Sequence, residues 1–231
     1  PLSSRMPLVA GMVLCALMAG LPLVTRAGLS LLILASGLLW LVWALRTPAR
    51  GLGTINGWLL VVLALAVLAT GFSPVPTAAA KGLLKLVSYM AVYALRRQLL
   101  ASAPVWWDRI VAALLAGELV TSVIGLRQLY GDTSELARWA DPNSVASGTV
   151  RIYSTLENPN LLGGYLLPIL PLAIVALLRW PGLARKLFAL ASLVLGAAAL
   201  VLTYSRGAWM GMVAALAVIG LLLANRQTQT W

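Results

Sequence analysis

Residues 187–224 read LFALASLVLGAAALVLTYSRGAWMGMVAALAVIGLLLA, almost wholly apolar except for Thr203-Tyr204-Ser205-Arg206-Gly207 near the middle. Such a run, about 38 residues at 1.5 Å per residue, is long enough to cross a hydrocarbon layer roughly 30 Å thick twice. The polar cluster in its middle therefore marks a hairpin between two spans. Composition extends that reading to the whole chain. Of 231 residues 61% are hydrophobic and 10% charged, and the mean hydropathy is +0.94. A water-soluble domain cannot bury so much apolar surface, so the solvent is a bilayer.

Working back from the hairpin, further helices are expected at about 6–24, 27–45, 58–72, 79–95, 110–130 and 161–178. Ser73-Pro74-Val75-Pro76 ends the third, because proline cannot continue the hydrogen-bond ladder. The fold class is all-α, a polytopic transmembrane bundle of about eight helices. The alternative is seven, if the fourth segment lies along the interface, since Lys81, Lys85, Ser88 and Tyr89 give it a polar stripe. Residues 1–231 form a single membrane domain, with an outer loop in water at about 131–160. The chain begins without methionine and runs out in polar residues after an apolar segment. It is therefore expected to be the N-terminal portion of a longer protein, truncated at its C-terminus.

The net charge of +11 would point to nucleic acid in a soluble protein. Here the basic residues fall in short loops, so nucleic acid is not an expected partner. One side of the alternating topology collects Arg5, Arg46, Arg50, Arg96, Arg97, Arg109, Arg179, Arg185, Lys186 and Arg226. The other holds Arg26, Lys81, Arg138, Arg151 and Arg206 together with the acidic loop. The first side is cytoplasmic by the positive-inside rule, which puts both termini of this segment inside and the long loop outside.

Charges at membrane depth are the first functional candidates. Lys81, Lys85, Arg127, Arg151 and Arg206 are expected at or just below the outer surface as a cationic rim, or as side chains that snorkel separately to headgroups. Arg206 has almost no loop to carry it to water. Its neighbours Gly207 and Gly211 have the G-x-x-x-G spacing that lets helices approach closely. Asn158-Pro159-Asn160 is suited to cap the sixth helix, with proline in its first turn. The positive end of that helix, with Arg151 upstream, would make an anion site, or simply a capped helix. Glu118 lies roughly 12 Å along the fifth helix from the inner interface. It is structural and protonated, paired, or linked to proton transport.

The lone Cys15 rules out an intrachain disulfide, and there is no histidine. That absence removes the commonest general base and metal ligand. No phosphate-binding glycine loop, metal-ligand cluster or nucleophile elbow is present. No cofactor or metal is expected, and no catalytic residue can be named.

Two strings carry a resemblance: Arg151 to Tyr165, RIYSTLENPNLLGGY, and Leu202 to Trp209, LTYSRGAW. They resemble the O-antigen ligase superfamily, and within it most nearly the cyanobacterial IctB type, named for bicarbonate transport. The resemblance implies a multi-pass protein of the bacterial inner (plasma) membrane acting on an anionic substrate at the outer face. For the ligases that substrate is a polyprenyl-diphosphate-linked glycan, and the matching arginines here are Arg151 and Arg206. The histidine proposed for catalysis in that family lies in a later outer loop, so glycan transfer would require a longer protein to supply it. Substrate binding is thus expected at Arg151, Arg206, Lys85 and Asn158, with Glu118 as a buried ionisable group. Partners are membrane lipids and either a lipid-linked glycan or a small oxyanion. Bicarbonate transport is the alternative function, and a noncatalytic membrane scaffold is the second.

Overall fold

Prolines and polar caps set the helix boundaries. A computed structural model describes residues 2–47, 54–131 and 150–228, and eight α-helices lie among them. They are α1 (Leu2–Gly20), α2 (Arg26–Arg46), α3 (Thr54–Gly71), α4 (Pro76–Ser102), α5 (Trp106–Arg127), α6 (Pro159–Arg179), α7 (Leu183–Leu202) and α8 (Arg206–Thr228). Thr25 caps α2 by accepting from the Gly28 amide, and Pro76 and Pro159 open α4 and α6, where a missing N–H costs nothing. The hairpin turn falls at residues 203–205, as the central polar cluster indicates.

Five helices, α2, α4, α5 with its 3-10 extension to Tyr130, α6 and α7, are long and apolar enough to cross a membrane. Large apolar side chains lie exposed along them, including Leu31, Leu34, Leu38, Leu84, Val120, Val175 and Val194. Surface of that kind suits lipid rather than water. The chain is a helical membrane protein. α4 runs well past the expected Leu95, to Ser102, and qualifies by length and composition as a span. Arg96 and Arg97 therefore belong to the helix and not to a following loop.

The chain divides into two compact units. The first comprises residues 1–18 and 24–110, the second residues 19–23 and 111–231. In the first, Met6, Ala10 and Leu14 of α1 form a core with Trp43, Leu95, Leu99, Trp106 and Ile110. Gly11 lies directly against the Trp106 ring, where a Cβ would not fit. Arg96 and Arg109 cover the faces of Trp107 and Trp106 at 5.4 and 4.7 Å, so these basic side chains are held against aromatic faces. A cavity of about 510 Å³ opens between α2, α3 and α4. Its polar end carries Tyr93 donating to Asn56 and Gln98 donating to Thr47.

In the second unit α6 is the central element. Its buried face (Leu162, Leu166, Ile169, Leu170, Ala173, Ala176) packs mainly on α7, with Ala189, Ala199 and Leu200 opposite. Pro168 and Pro171 lie inside α6. Prolines are tolerated in a membrane helix where neighbouring helices accommodate the freed carbonyls. Gly163 permits the close approach of α8, since a Cβ there would lie 2.8 Å from that of Ala208.

Residues 150–158, expected as part of a loop in water, instead pack into the second unit, with Ile152 and Ser154 buried. Hydrogen bonds from three elements hold them, and an isolated loop sequence does not display those partners. Asp132, Glu135, Arg138 and Asp141 of the same loop, together with Arg50, lie outside the described residues.

Candidate functional site

Arg151 is the organising residue. Its Nε donates to the Thr203 carbonyl at 2.9 Å and its Nη2 to Asn160 Oδ1 at 2.9 Å. One guanidinium thus ties the segment before α6, the first turn of α6 and the turn before α8. Beside it, the Ile152 amide donates to the Leu202 carbonyl at 3.1 Å. On the other flank Gln128 Oε1 accepts from the Tyr153 and Ser154 amides at 3.1 and 2.9 Å, and Ser154 Oγ donates to the Thr121 carbonyl at 2.6 Å. Buried backbone needs such partners, because an unmade bond costs about 1–3 kcal/mol.

Among the described residues three non-glycines adopt a positive φ, Ser154 (φ 53°), Glu157 (φ 57°) and Tyr204 (φ 48°). All three lie in the two strings that meet here. Each such residue costs roughly 1–2 kcal/mol, and strain of this kind persists where surrounding contacts enforce it and gathers at functional sites.

Asn158 caps α6 as expected, its Oδ1 accepting from the Asn160 and Leu161 amides at 2.8 and 3.4 Å. The cap occupies those amides, so the N-terminus of α6 has little left to offer an anion. At α8 the geometry differs. Ser205 donates its amide to Thr203 Oγ1 and its carbonyl accepts from Trp209. The amides of Arg206, Gly207 and Ala208 therefore precede the first intrahelical bond of α8. Arg206 is exposed, and the space outside Gly207 is open. Burial pulls the Arg151 guanidinium below its ordinary pKa, yet a guanidinium remains charged throughout the physiological range. The positive end of α8 and two arginines thus flank one turn.

Arg151 and Asn158 both bond Asn160, while Arg206 joins them only through its place three residues after the Thr203 that Arg151 holds. Lys85 and Lys81 are exposed on α4 in the first unit and take no part in these bonds, and Arg127 is exposed at the end of α5. The Gly207–Gly211 reading holds only in part. Gly211 faces Leu167 of α6 at 3.0 Å from an added Cβ, Gly207 faces open space, and between α6 and α8 the closer approach is at Gly163. Sequence reasoning missed Gln128, Asn160 and Thr203 as partners. Asn160 lies within the Asn-Pro-Asn string, whereas nothing near Gln128 in sequence marks its role.

Glu118 is fully buried in α5. Its Oε1 accepts from Ser122 at 2.7 Å and its Oε2 from Ser192 of α7. Gly196, one turn beyond Ser192, leaves the carboxyl its space, since a Cβ there would collide with Oε1 and lie 2.7 Å from Leu170. Among the described residues no group of three or more acidic, cysteine or histidine side chains could hold a metal. No protein-family profile, curated protein or solved structure matches this chain.

Proposed function

We propose that the second unit binds an oxyanion at the junction of residues 150–158 with the turn before α8, and that the substrate is phosphate-like. The observation that supports this reading is the Arg151 tether to Thr203 and Asn160. It fixes one guanidinium beside the turn from which Arg206 and the first amides of α8 project. A diphosphate offers several charged oxygens to such donors; the exposed Arg206 can pair with them in two-pronged fashion, while Arg151, with Nε and Nη2 engaged, adds positive charge beside the turn. The likeness of RIYSTLENPNLLGGY and LTYSRGAW to the O-antigen ligase superfamily fits the same substrate class, a polyprenyl-diphosphate-linked glycan reached from the outer face of a bacterial inner membrane. The positive-inside count puts both termini of the segment on the cytoplasmic side. In this reading the residues bind and orient the diphosphate, while a base for glycan transfer is not supplied as histidine, of which the sequence has none.

The test is binding of a short-chain polyprenyl diphosphate to the purified protein in detergent, followed calorimetrically. Saturable binding in the wild type and its loss in Arg206→Ala is the expected result. Equal heats for wild type, R206A and R151A would overturn the reading. Saturable binding of bicarbonate with none of the diphosphate would replace it with the small-oxyanion reading.

A further inference from the structure

We propose that Glu118 is a proton-binding site within the second unit, a carboxyl that takes up and releases H⁺ in the middle of the helix bundle. The proposal does not rest on the oxyanion reading. It begins from position: the side chain is fully buried, in a helix apolar enough to span a membrane, with its acid group against α7. An ionised carboxylate in such surroundings is stabilised only by a positive partner or by hydrogen bonds.

The groups that face it are few. On its own helix Ser122 donates to one oxygen, while the Thr121 hydroxyl is turned back to the Gly117 carbonyl and is not available. From α7, Ser192 donates to the other oxygen, and Gly196 and Leu170 close the space around it. From α6, Tyr165 is the titratable group, packed against the core that α5, α6 and α7 share. No lysine or arginine among the described residues forms an ion pair with the carboxyl. Two neutral hydroxyls are thus its whole bonding environment, and they suit either state. A serine donates to the carboxylate, or turns and accepts from the acid.

The Tyr165 hydroxyl supplies the second observation. Among the described residues it is the one buried side-chain polar atom without a hydrogen-bond partner. A buried hydroxyl lacking a partner is the exception in folded proteins and asks for an explanation. The hydroxyl makes no hydrogen bond to Glu118 itself, so a proton from the acid reaches it through one intervening water and is then passed onward. The balance is simple: the carboxyl O–H breaks, the proton moves through a hydroxyl to water, and a carboxylate remains with its two serine donors. Tyr165 is a positioning and relay residue, and Glu118 is the site.

Infrared spectroscopy of the full chain in lipid reads this directly, and the chain has only six acidic residues to contribute. The wild type should show a carboxylic-acid C=O band that is missing from E118Q, shifts on transfer to D₂O, and gives way to carboxylate bands as pH rises. Tyr165→Phe should slow the D₂O shift without removing the band, which a purely structural hydroxyl would not do. Identical wild-type and E118Q spectra at every pH would mean that Glu118 never carries the proton. A Glu118 band unmoved by pH and D₂O would mean a fixed structural acid. Loss of the band in NaCl but not in KCl would reassign the site to a metal cation. Each of these three results overturns the proposal.

Discussion

Arg151 donates its Nε to the backbone carbonyl of Thr203 at 2.9 Å across 52 residues of sequence. That single bond joins the two strings of the candidate site. Arg206, three positions after Thr203, shares the site but is exposed and makes no comparable tether. The two arginines should therefore respond differently to replacement.

Arg151→Ala should cost about 2 kcal/mol, since hydrogen bonds to charged groups are worth about 1.5–3 kcal/mol. Arg206→Ala should change stability by less than about 0.5 kcal/mol, as for other exposed sites, while abolishing diphosphate binding. Thermal unfolding in detergent beside the binding measurement checks both. Equal destabilisation by the two variants would contradict the tether.

Gly163→Ala places a Cβ 2.8 Å from that of Ala208 and should destabilise the second unit by about 1–3 kcal/mol. Gly164→Ala next to it meets nothing within 4 Å, and should be neutral or stabilising by up to about 1 kcal/mol. Comparable unfolding temperatures for the two would mean that α6 and α8 do not approach as described.

Glu157→Gly should stabilise the protein by something on the order of 1 kcal/mol, because an exposed left-handed residue carries strain that glycine lacks. Ser154→Gly relieves the same strain but loses the 2.6 Å bond to the Thr121 carbonyl, so a net loss of about 1 kcal/mol is expected. Opposite signs in chemical unfolding would support the packed geometry of this segment.

The pH dependence follows from Arg151. Burial lowers its pKa in the folded protein, so the penalty for keeping it charged is present below that folded value and disappears only as pH rises through the ordinary arginine range. No change from this residue is expected between about pH 6 and 9, where the guanidinium stays charged. Diphosphate binding should be flat across that interval and weaken with salt, as the Debye length falls from about 8 Å at 0.15 M to about 3 Å at 1 M. A steep loss of affinity near neutral pH would point to another titrating group in the site.

Much of the fold was legible in the residues themselves. Leu187–Ala224 with its central polar cluster announced the α7–α8 hairpin, and Pro76 and Pro159 announced helix starts, because these features act through local backbone chemistry. Asn158 was legible as a cap for the same reason. The packed course of residues 150–158 was not, since Arg151 and Ser154 look like ordinary loop polar residues until Thr203, Gln128 and Thr121 are found beside them. Lys85 followed the same charge logic as Arg151, yet it belongs to the other unit and joins none of these bonds.

By itself, the sequence determined the solvent, the helical class and the positions where spans begin and turn, because hydropathy, helical rise and the missing proline donor are properties of short segments. The tertiary structure decided which polar groups meet. Only packing could bring Arg151 to the Thr203 carbonyl and seal Glu118 between Ser122 and Ser192 opposite Gly196. Hydrogen bonds between residues 52 and 74 positions apart depend on where helices cross, and no local pattern encodes that.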